Sequence, residues 1–130
     1  MVAEWGAEAW DARVGLLRAL SQAVTGWAEY ASDEVNGTAA APDPAIASAA
    51  SRLGQRLSNP EDLAALESVV TWALSGAMHS ALVALDGGSD GCPTLDLTDP
   101  EGRSLGYALH EQWPEFDPQD PLSDDGDRRA

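Results

Sequence analysis

Apolar side chains recur at three- and four-residue steps through the N-terminal part of the chain. The positions that share this spacing are Trp10, Val14, Leu17, Val24, Trp27 and Ala28, with Leu20 at the flank. Such a stripe is the apolar face of an amphipathic helix. The pattern therefore predicts a helix over residues 10–30. Asn36-Gly37 and Pro42 then supply turn residues, which predict a loop from Ser32 to Pro44.

Two further helices have clear start signals. Asp43 stands before Pro44, and Ser58 and Asn59 stand before Pro60. A short polar residue that accepts a backbone hydrogen bond, followed by proline in the first turn, is typical of a helix N-terminus. We therefore predict a second helix from Pro44 to about Leu57 and a third from Pro60, which the glycines after Asp86 should end.

The third helix is apolar on more than one face. Val69, Trp72, Leu82 and Val83 widen the stripe that its three- and four-residue spacing defines. A helix with so wide an apolar surface is expected at the centre of the fold, packed by the other elements. A short strand over residues 81–85 is the alternative for its last turn, since a brief apolar run fits either structure.

The pattern changes to period two after the glycines. Thr94 to Thr98 alternates polar and apolar side chains, and Asp99-Pro100-Glu101-Gly102 is a turn sequence, so a strand and a tight reversal are predicted. Two predictions compete for the next segment. Ser104–Tyr107 could return as a second strand, or residues 105–113 could form a helix ended by Pro114, which we favour.

These elements predict an α+β fold that is mostly helical: a three-helix N-terminal core, a short strand or hairpin, and a C-terminal helix. Residues 1–113 are expected to form a single globular domain, because the length is typical of one domain. Residues 114–130 are rich in acids and proline and poor in apolar side chains, so we expect a disordered acidic tail.

Charge excludes several classes of function. The chain has 22 acidic residues against seven arginines and no lysine, for a net charge of -15. Nucleic acid and anionic membranes would repel it, and no apolar stretch of spanning length is expected, so neither partner is predicted. Without lysine there is no Schiff base or Walker-type phosphate loop, and no cofactor is predicted. The same charge also favours solubility.

The N-terminus lacks the basic and apolar regions of a secretory signal, and Cys92 is the single cysteine. Both features predict a cytoplasmic protein in a reducing compartment.

One metal-site hypothesis comes from three residues whose side chains are common ligands of divalent metals, His79, Asp86 and His110. Their spacing matches no zinc motif, because Pro114 stands where the second histidine of HExxH would follow His110. The alternative is that they are ordinary hydrogen-bonded residues.

Residues 79–87 read HSALVALDG, and Leu95-Asp96-Leu97 and Leu109-His110-Glu111-Gln112-Trp113 follow. In this pattern the chain resembles a family of small bacterial proteins to which no activity is assigned. The resemblance implies a helical N-terminal part followed by a helix, a strand, a turn and an ending of Leu-His-Glu plus an aromatic residue. It also raises His110 as a functional candidate.

The leading hypothesis is a non-enzymatic, protein-binding module, an immunity- or antitoxin-like inhibitor that covers a cationic site on a basic partner. The residues expected to contact that partner are Asp96, Asp99, Glu101, Glu111 and Glu115, with Trp113 as an apolar anchor.

Two alternatives stay open: a small metal-assisted enzyme that uses His79, Asp86 and His110, and a structural subunit of an assembly. The second follows from the first helix, where Trp5 and Trp10 cannot both face the same core as Trp27, so at least one of those two should lie at a surface.

Overall fold

The computed structural model describes residues 2–39, 43–88, 90–91 and 93–119. Four α-helices form in this part of the chain: α1 (Val2–Asn36), α2 (Pro44–Gly54), α3 (Pro60–Leu85) and the short α4 (Leu109–Gln112), which continues into a 3-10 turn at Trp113–Glu115. The predicted, mostly helical character is confirmed. Cys92 and residues 120–130, most of the predicted tail, lie outside the described residues.

Both predicted helix starts are confirmed. The Asp43 carboxylate accepts a hydrogen bond from the N–H of Ala45 at 2.8 Å. Asn59 and Asp62 bond reciprocally: the Asn59 side-chain oxygen accepts from the Asp62 N–H at 2.8 Å, and the Asp62 carboxylate accepts from the Asn59 side-chain amide at 2.9 Å. The predicted ends were less accurate, since α1 extends to Asn36 and α2 ends at Gly54 rather than near Leu57.

The chain divides into two compact units, one of residues 1–22 and 75–130 and one of residues 23–74. The first unit buries Leu17 and Leu82 together with Leu105, Leu109 and Trp113 from the C-terminal segment. The second unit buries Val24, Ala28, Val35 and Ala50. The boundary of one domain at Trp113 stays a prediction.

The expectation that α3 is the central, packed element was wrong. Only Ser75 and Leu82 are buried among its described residues, while Val69 is 60% and Trp72 69% exposed. Apolar positions spread around a helix are buried only where another element packs on each face, and the elements that the structure describes leave the face of Val69 and Trp72 uncovered.

The prediction that no apolar stretch reaches spanning length was also wrong for α3. Its mean hydropathy reaches 1.4 over an 18-residue window, and 11% of that window is buried. By length and composition alone, this helix could cross a membrane, but one such helix is weak evidence, because core helices of soluble proteins have the same length and composition. The cytoplasmic location stays a prediction.

The predicted strand is not confirmed. A single antiparallel bridge joins Thr98 to Ser104, and no strand forms elsewhere in the described chain. The predicted reversal at Asp99 is present, because the N–H of Gly102 donates to the Asp99 carbonyl at 2.9 Å. Residues 81–85 belong to α3, so the strand alternative for them was wrong.

The C-terminal helix is shorter than the predicted span of 105–113 and begins at Leu109. The reason lies in the backbone: Gly106 and Ala108 have positive φ angles of 87° and 59°, which a continuous right-handed helix cannot contain. Of the competing second strand over Ser104–Tyr107, only the bridge at Ser104 forms.

Candidate functional site

Arg13 ties α1 to the segment that precedes α4. Its guanidinium donates to the carbonyls of Leu105 at 3.2 Å, Tyr107 at 2.8 Å and Ala108 at 3.2 Å. Its Nε donates to Oε1 of Gln112 at 2.5 Å. One buried side chain therefore donates to three backbone carbonyls of this irregular segment, which holds the segment in place; the Ala108 carbonyl also accepts from the N–H of Glu111 at 3.1 Å.

The charge of Arg13 is held inside the protein. The residue is 4% exposed. Burial lowers the pKa of its guanidinium, and the nearby carboxylates of Asp86 and Glu115 act in the opposite direction. An arginine titrates so far above neutrality that it stays charged despite this shift. Arg13 is thus an internal support of the fold rather than a surface contact.

The metal-site hypothesis placed Asp86 and His110 together, and the structure does so. The N–H of His110 donates to Oδ2 of Asp86 at 3.0 Å, and Nδ1 of the same histidine lies 2.6 Å from that oxygen. Burial alone would raise the pKa of Asp86, but hydrogen bonds from the N–H and ring of His110 and from the N–H of Leu109 outweigh it and lower the pKa. Asp86 acts as a carboxylate cap at the start of α4.

The third member of that hypothesis, His79, lies edge-on to His110 with 6.0 Å between the ring centroids. Among the described residues, no group of three or more His, Cys, Asp or Glu side chains is arranged to hold a metal ion. The geometry instead makes Asp86 and His110 a hydrogen-bonded connection between the end of α3 and α4.

The acids proposed as partner contacts fall into two groups. Asp99 and Glu101 both bond Arg103, whose Nε lies 2.6 Å from Oδ2 of Asp99 and whose Nη2 lies 3.4 Å from Oε2 of Glu101. Asp96 accepts a hydrogen bond from the Ser104 hydroxyl at 2.5 Å. These three acids therefore stabilise the turn between Thr98 and Ser104.

Glu111 and Glu115 form the second group, and both are exposed on the C-terminal segment. Trp113 between them is 1% exposed, so the prediction that it anchors a partner was wrong. Glu111 is exposed two residues before Trp113, whose indole belongs to the core of its unit. Its Nε1 is buried and finds no hydrogen-bond partner among the described residues.

A second surface, in the unit of residues 23–74, was not located by the sequence. Trp27, Tyr30 and Glu34 of α1 and Asp43 and Ile46 at the start of α2 line an open groove of about 520 Å³. Trp27 is 64%, Ile46 53% and Tyr30 37% exposed. The rings of Trp27 and Tyr30 meet edge to face, with centroids 5.8 Å apart and an angle of 81° between the ring planes.

The prediction that Trp5 or Trp10 lies at a surface stays a prediction, because Trp10 is half-buried and the side chain of Trp5 lies outside the described residues. The core position expected for Trp27 was wrong, since its side chain is exposed. Trp27 had been assigned to the apolar face of that helix. It stands beside the buried Ala28, one residue and therefore about 100° further round the helix, which puts it on a neighbouring face.

No protein-family model, curated protein or solved structure matches this chain significantly. The resemblance drawn from residues 79–113 therefore adds no function, and the case for function depends on the geometry.

Sequence reasoning missed Arg13 and the groove. Arg13 carried a signal, since it lies three residues after Trp10 and four before Leu17 and so interrupts the apolar stripe with a charge. The sequence pattern of neither helix alone indicated the groove, because the groove forms only where α1 and α2 lie side by side.

Proposed function

We propose that the chain is an acidic protein-binding module that acts by covering a cationic surface of a basic partner, as an immunity protein or antitoxin does. The net charge of -15 supports this proposal, because a strongly negative surface attracts a basic protein at long range and accelerates its association.

The observation that carries the proposal is the arrangement of charge. Arg13 is buried against backbone carbonyls, and Arg103 is occupied by Asp99 and Glu101. Two arginines therefore serve the internal structure, whereas Glu111 and Glu115 stand exposed on the C-terminal segment. Of the acids expected at the interface, these two are best placed to contact a partner directly.

The hypothesis of a metal-assisted enzyme receives less support. Asp86 is committed to His110 and to the start of α4, and the described residues offer no metal-holding group. Metal analysis of the purified chain and of the His79→Ala and His110→Ala variants is the test: metal bound in stoichiometric amount and lost in either variant would restore this hypothesis.

A pull-down tests the binding proposal. The tagged chain is incubated with lysate of its native host at about 100 mM and about 1 M salt, which bracket weak and strong screening. We expect recovery of one basic protein at low salt and its loss at high salt. Recovery of nothing at low salt, or of a protein that salt does not release, contradicts the proposal.

Matched variants then locate the contact. Glu111→Gln with Glu115→Gln removes two charges from the C-terminal segment, and Asp11→Asn with Glu61→Gln removes two charges from exposed positions that belong neither to that segment nor to the groove of Trp27. Both pairs change long-range attraction equally. We expect only the first pair to accelerate dissociation as well, because short-range contacts control the dissociation rate.

A further inference from the structure

The groove of Trp27 is an apolar surface that the described chain leaves open. α1 turns one apolar face, with Val24, Ala28 and Val35, to the core of its unit. Its second face presents Trp27 and Tyr30, which with Ile46 of α2 line the groove. An apolar groove between two helices is the kind of surface into which amphipathic helices bind.

Charge at the edge of the groove indicates what would occupy it. Glu34 and Asp43 both line it, one from each helix. The Glu34 carboxylate accepts a hydrogen bond from the Tyr30 hydroxyl, and desolvation together with this carboxylate raises the pKa of Tyr30. The groove thus combines an apolar floor with a negative edge. Its chemical complement is a helix with aliphatic side chains on one face and Lys or Arg beside that face.

We propose that this groove binds a basic amphipathic helix of the partner protein. The proposal rests on the proposed function, and it adds a second contact surface to that of Glu111 and Glu115 and the kind of segment that this surface recognises. A second copy of this chain is a poorer complement, because each copy brings a net charge of -15 and the same two carboxylates to the contact. An anionic lipid surface is disfavoured by the same charge.

The test uses the full chain and three labelled synthetic peptides of about 18 residues with one leucine face, the length of a typical groove-binding helix. The peptides differ only at the positions that flank the leucine face, and these positions carry Lys, Gln or Glu. Fluorescence anisotropy measures their affinity. We expect the Lys peptide to bind at least roughly tenfold more tightly than the Gln peptide, and the Glu peptide not to bind.

Substitutions test whether the Lys peptide binds in the groove. Trp27→Ala should reduce the affinity for the Lys peptide roughly tenfold or more, as removal of a central aromatic anchor does. Trp72→Ala is the matched control, because Trp72 is 69% exposed in the same unit and does not line the groove; it should leave affinity unchanged. Glu34→Gln with Asp43→Asn should reduce both the affinity and its dependence on salt. Asn at position 43 still caps α2, so this pair leaves the helix start intact.

If the Trp27→Ala and Trp72→Ala variants bind the Lys peptide with equal affinity, the groove proposal is overturned. If that affinity still falls steeply with rising salt in both variants, the proposed function stands. If the Lys peptide binds through Trp27 while the pull-down recovers no basic protein, the proposed function fails and the groove proposal survives. Light scattering that shows a dimer lost on Trp27→Ala assigns the groove to a second copy, and Trp27-dependent binding to phosphatidylcholine vesicles assigns it to lipid. Either result overturns the proposal.

Discussion

Arg13 and Gln112 are hydrogen-bonded although 99 positions of sequence separate them. Nε of Arg13 donates to the Gln112 side-chain oxygen at 2.5 Å, while the rest of the guanidinium satisfies the carbonyls of Leu105, Tyr107 and Ala108. The C-terminal segment thus depends on one side chain of α1 for its shape.

Replacement of Arg13 should therefore cost more than the loss of a surface charge. Arg13→Ala is expected to lower the free energy of unfolding by roughly 3 kcal/mol, because buried carbonyls lose their donors. Arg13→Lys should recover only part of this loss, since an ammonium group cannot reproduce the planar fork. Urea denaturation followed by circular dichroism measures both. Arg18→Ala, at an exposed position of the same helix, is the control and should change stability by less than about 0.5 kcal/mol. Equal effects at positions 13 and 18 would show that the Arg13 network contributes nothing.

The contact of Asp86 with His110 predicts a dependence of stability on acid. The pKa of Asp86 is lowered in the folded chain, so the unfolded carboxyl, with its ordinary pKa of about 3.9, binds a proton first as the pH falls. The stabilisation by Asp86 is complete above that pH and is lost as the pH falls through the folded pKa.

Asp86→Asn should accordingly be less stable than the native chain by about 1–2 kcal/mol at neutral pH. This difference should shrink as the pH decreases below about 4. Denaturation of both proteins from pH 7 to pH 2.5 gives the comparison. A stability difference that stays constant across this range would mean that Asp86 is not a lowered-pKa carboxylate.

Ser75 and Asp117 predict that the ordered structure continues beyond Trp113. Ser75 is 3% exposed and donates its hydroxyl to the Asp117 carboxylate. A double-mutant cycle of Ser75→Ala and Asp117→Asn should give a coupling free energy of about 1–2 kcal/mol, as for a hydrogen bond to a charged group. Strictly additive effects would indicate that the two side chains do not interact in solution.

Gly54 predicts a steric effect at the end of α2. A Cβ atom at this position would clash with the backbone carbonyl oxygen of Val35, which cannot move aside as a flexible side chain could. Gly54→Ala should therefore destabilise the chain by roughly 1–3 kcal/mol. Gly15→Ala in α1 meets nothing within 4 Å and should stabilise by about 0.5–1 kcal/mol, because alanine favours the helix. Thermal denaturation of the two variants should shift the midpoint in opposite directions; a shift in the same direction would contradict the close approach of α2 to α1.

The elements that local chemistry determines could be predicted from the sequence. Asp43 and Asn59 cap helices through residues two or three positions away, so their sequence neighbourhood contained the whole interaction. The start of α4 at Leu109 could not be predicted, because it depends on Asp86, which lies 24 residues before His110, and on Arg13. Trp72 and Trp113 show the same limit. Trp72 was expected in the core and is exposed, whereas Trp113 was expected at an interface and is buried. Burial depends on which elements pack together, and the sequence alone does not give this.

The candidate site residues were likewise predicted only in part. The sequence grouped His79, Asp86 and His110 as possible metal ligands. The structure joins Asp86 and His110 by a hydrogen bond, whereas the metal site stays a prediction. The sequence could not show that Asp99 and Glu101 bond Arg103, because composition does not record which carboxylate meets which arginine.

The association rate with the basic protein recovered by the pull-down tests the central claim most directly. Stopped-flow mixing at about 50 mM to about 500 mM salt measures this rate across a range in which screening becomes strong. If the acidic surface steers the partner, the rate constant should fall roughly tenfold or more over that range, while the dissociation rate changes much less. An association rate that does not respond to salt would contradict an electrostatically driven binding module.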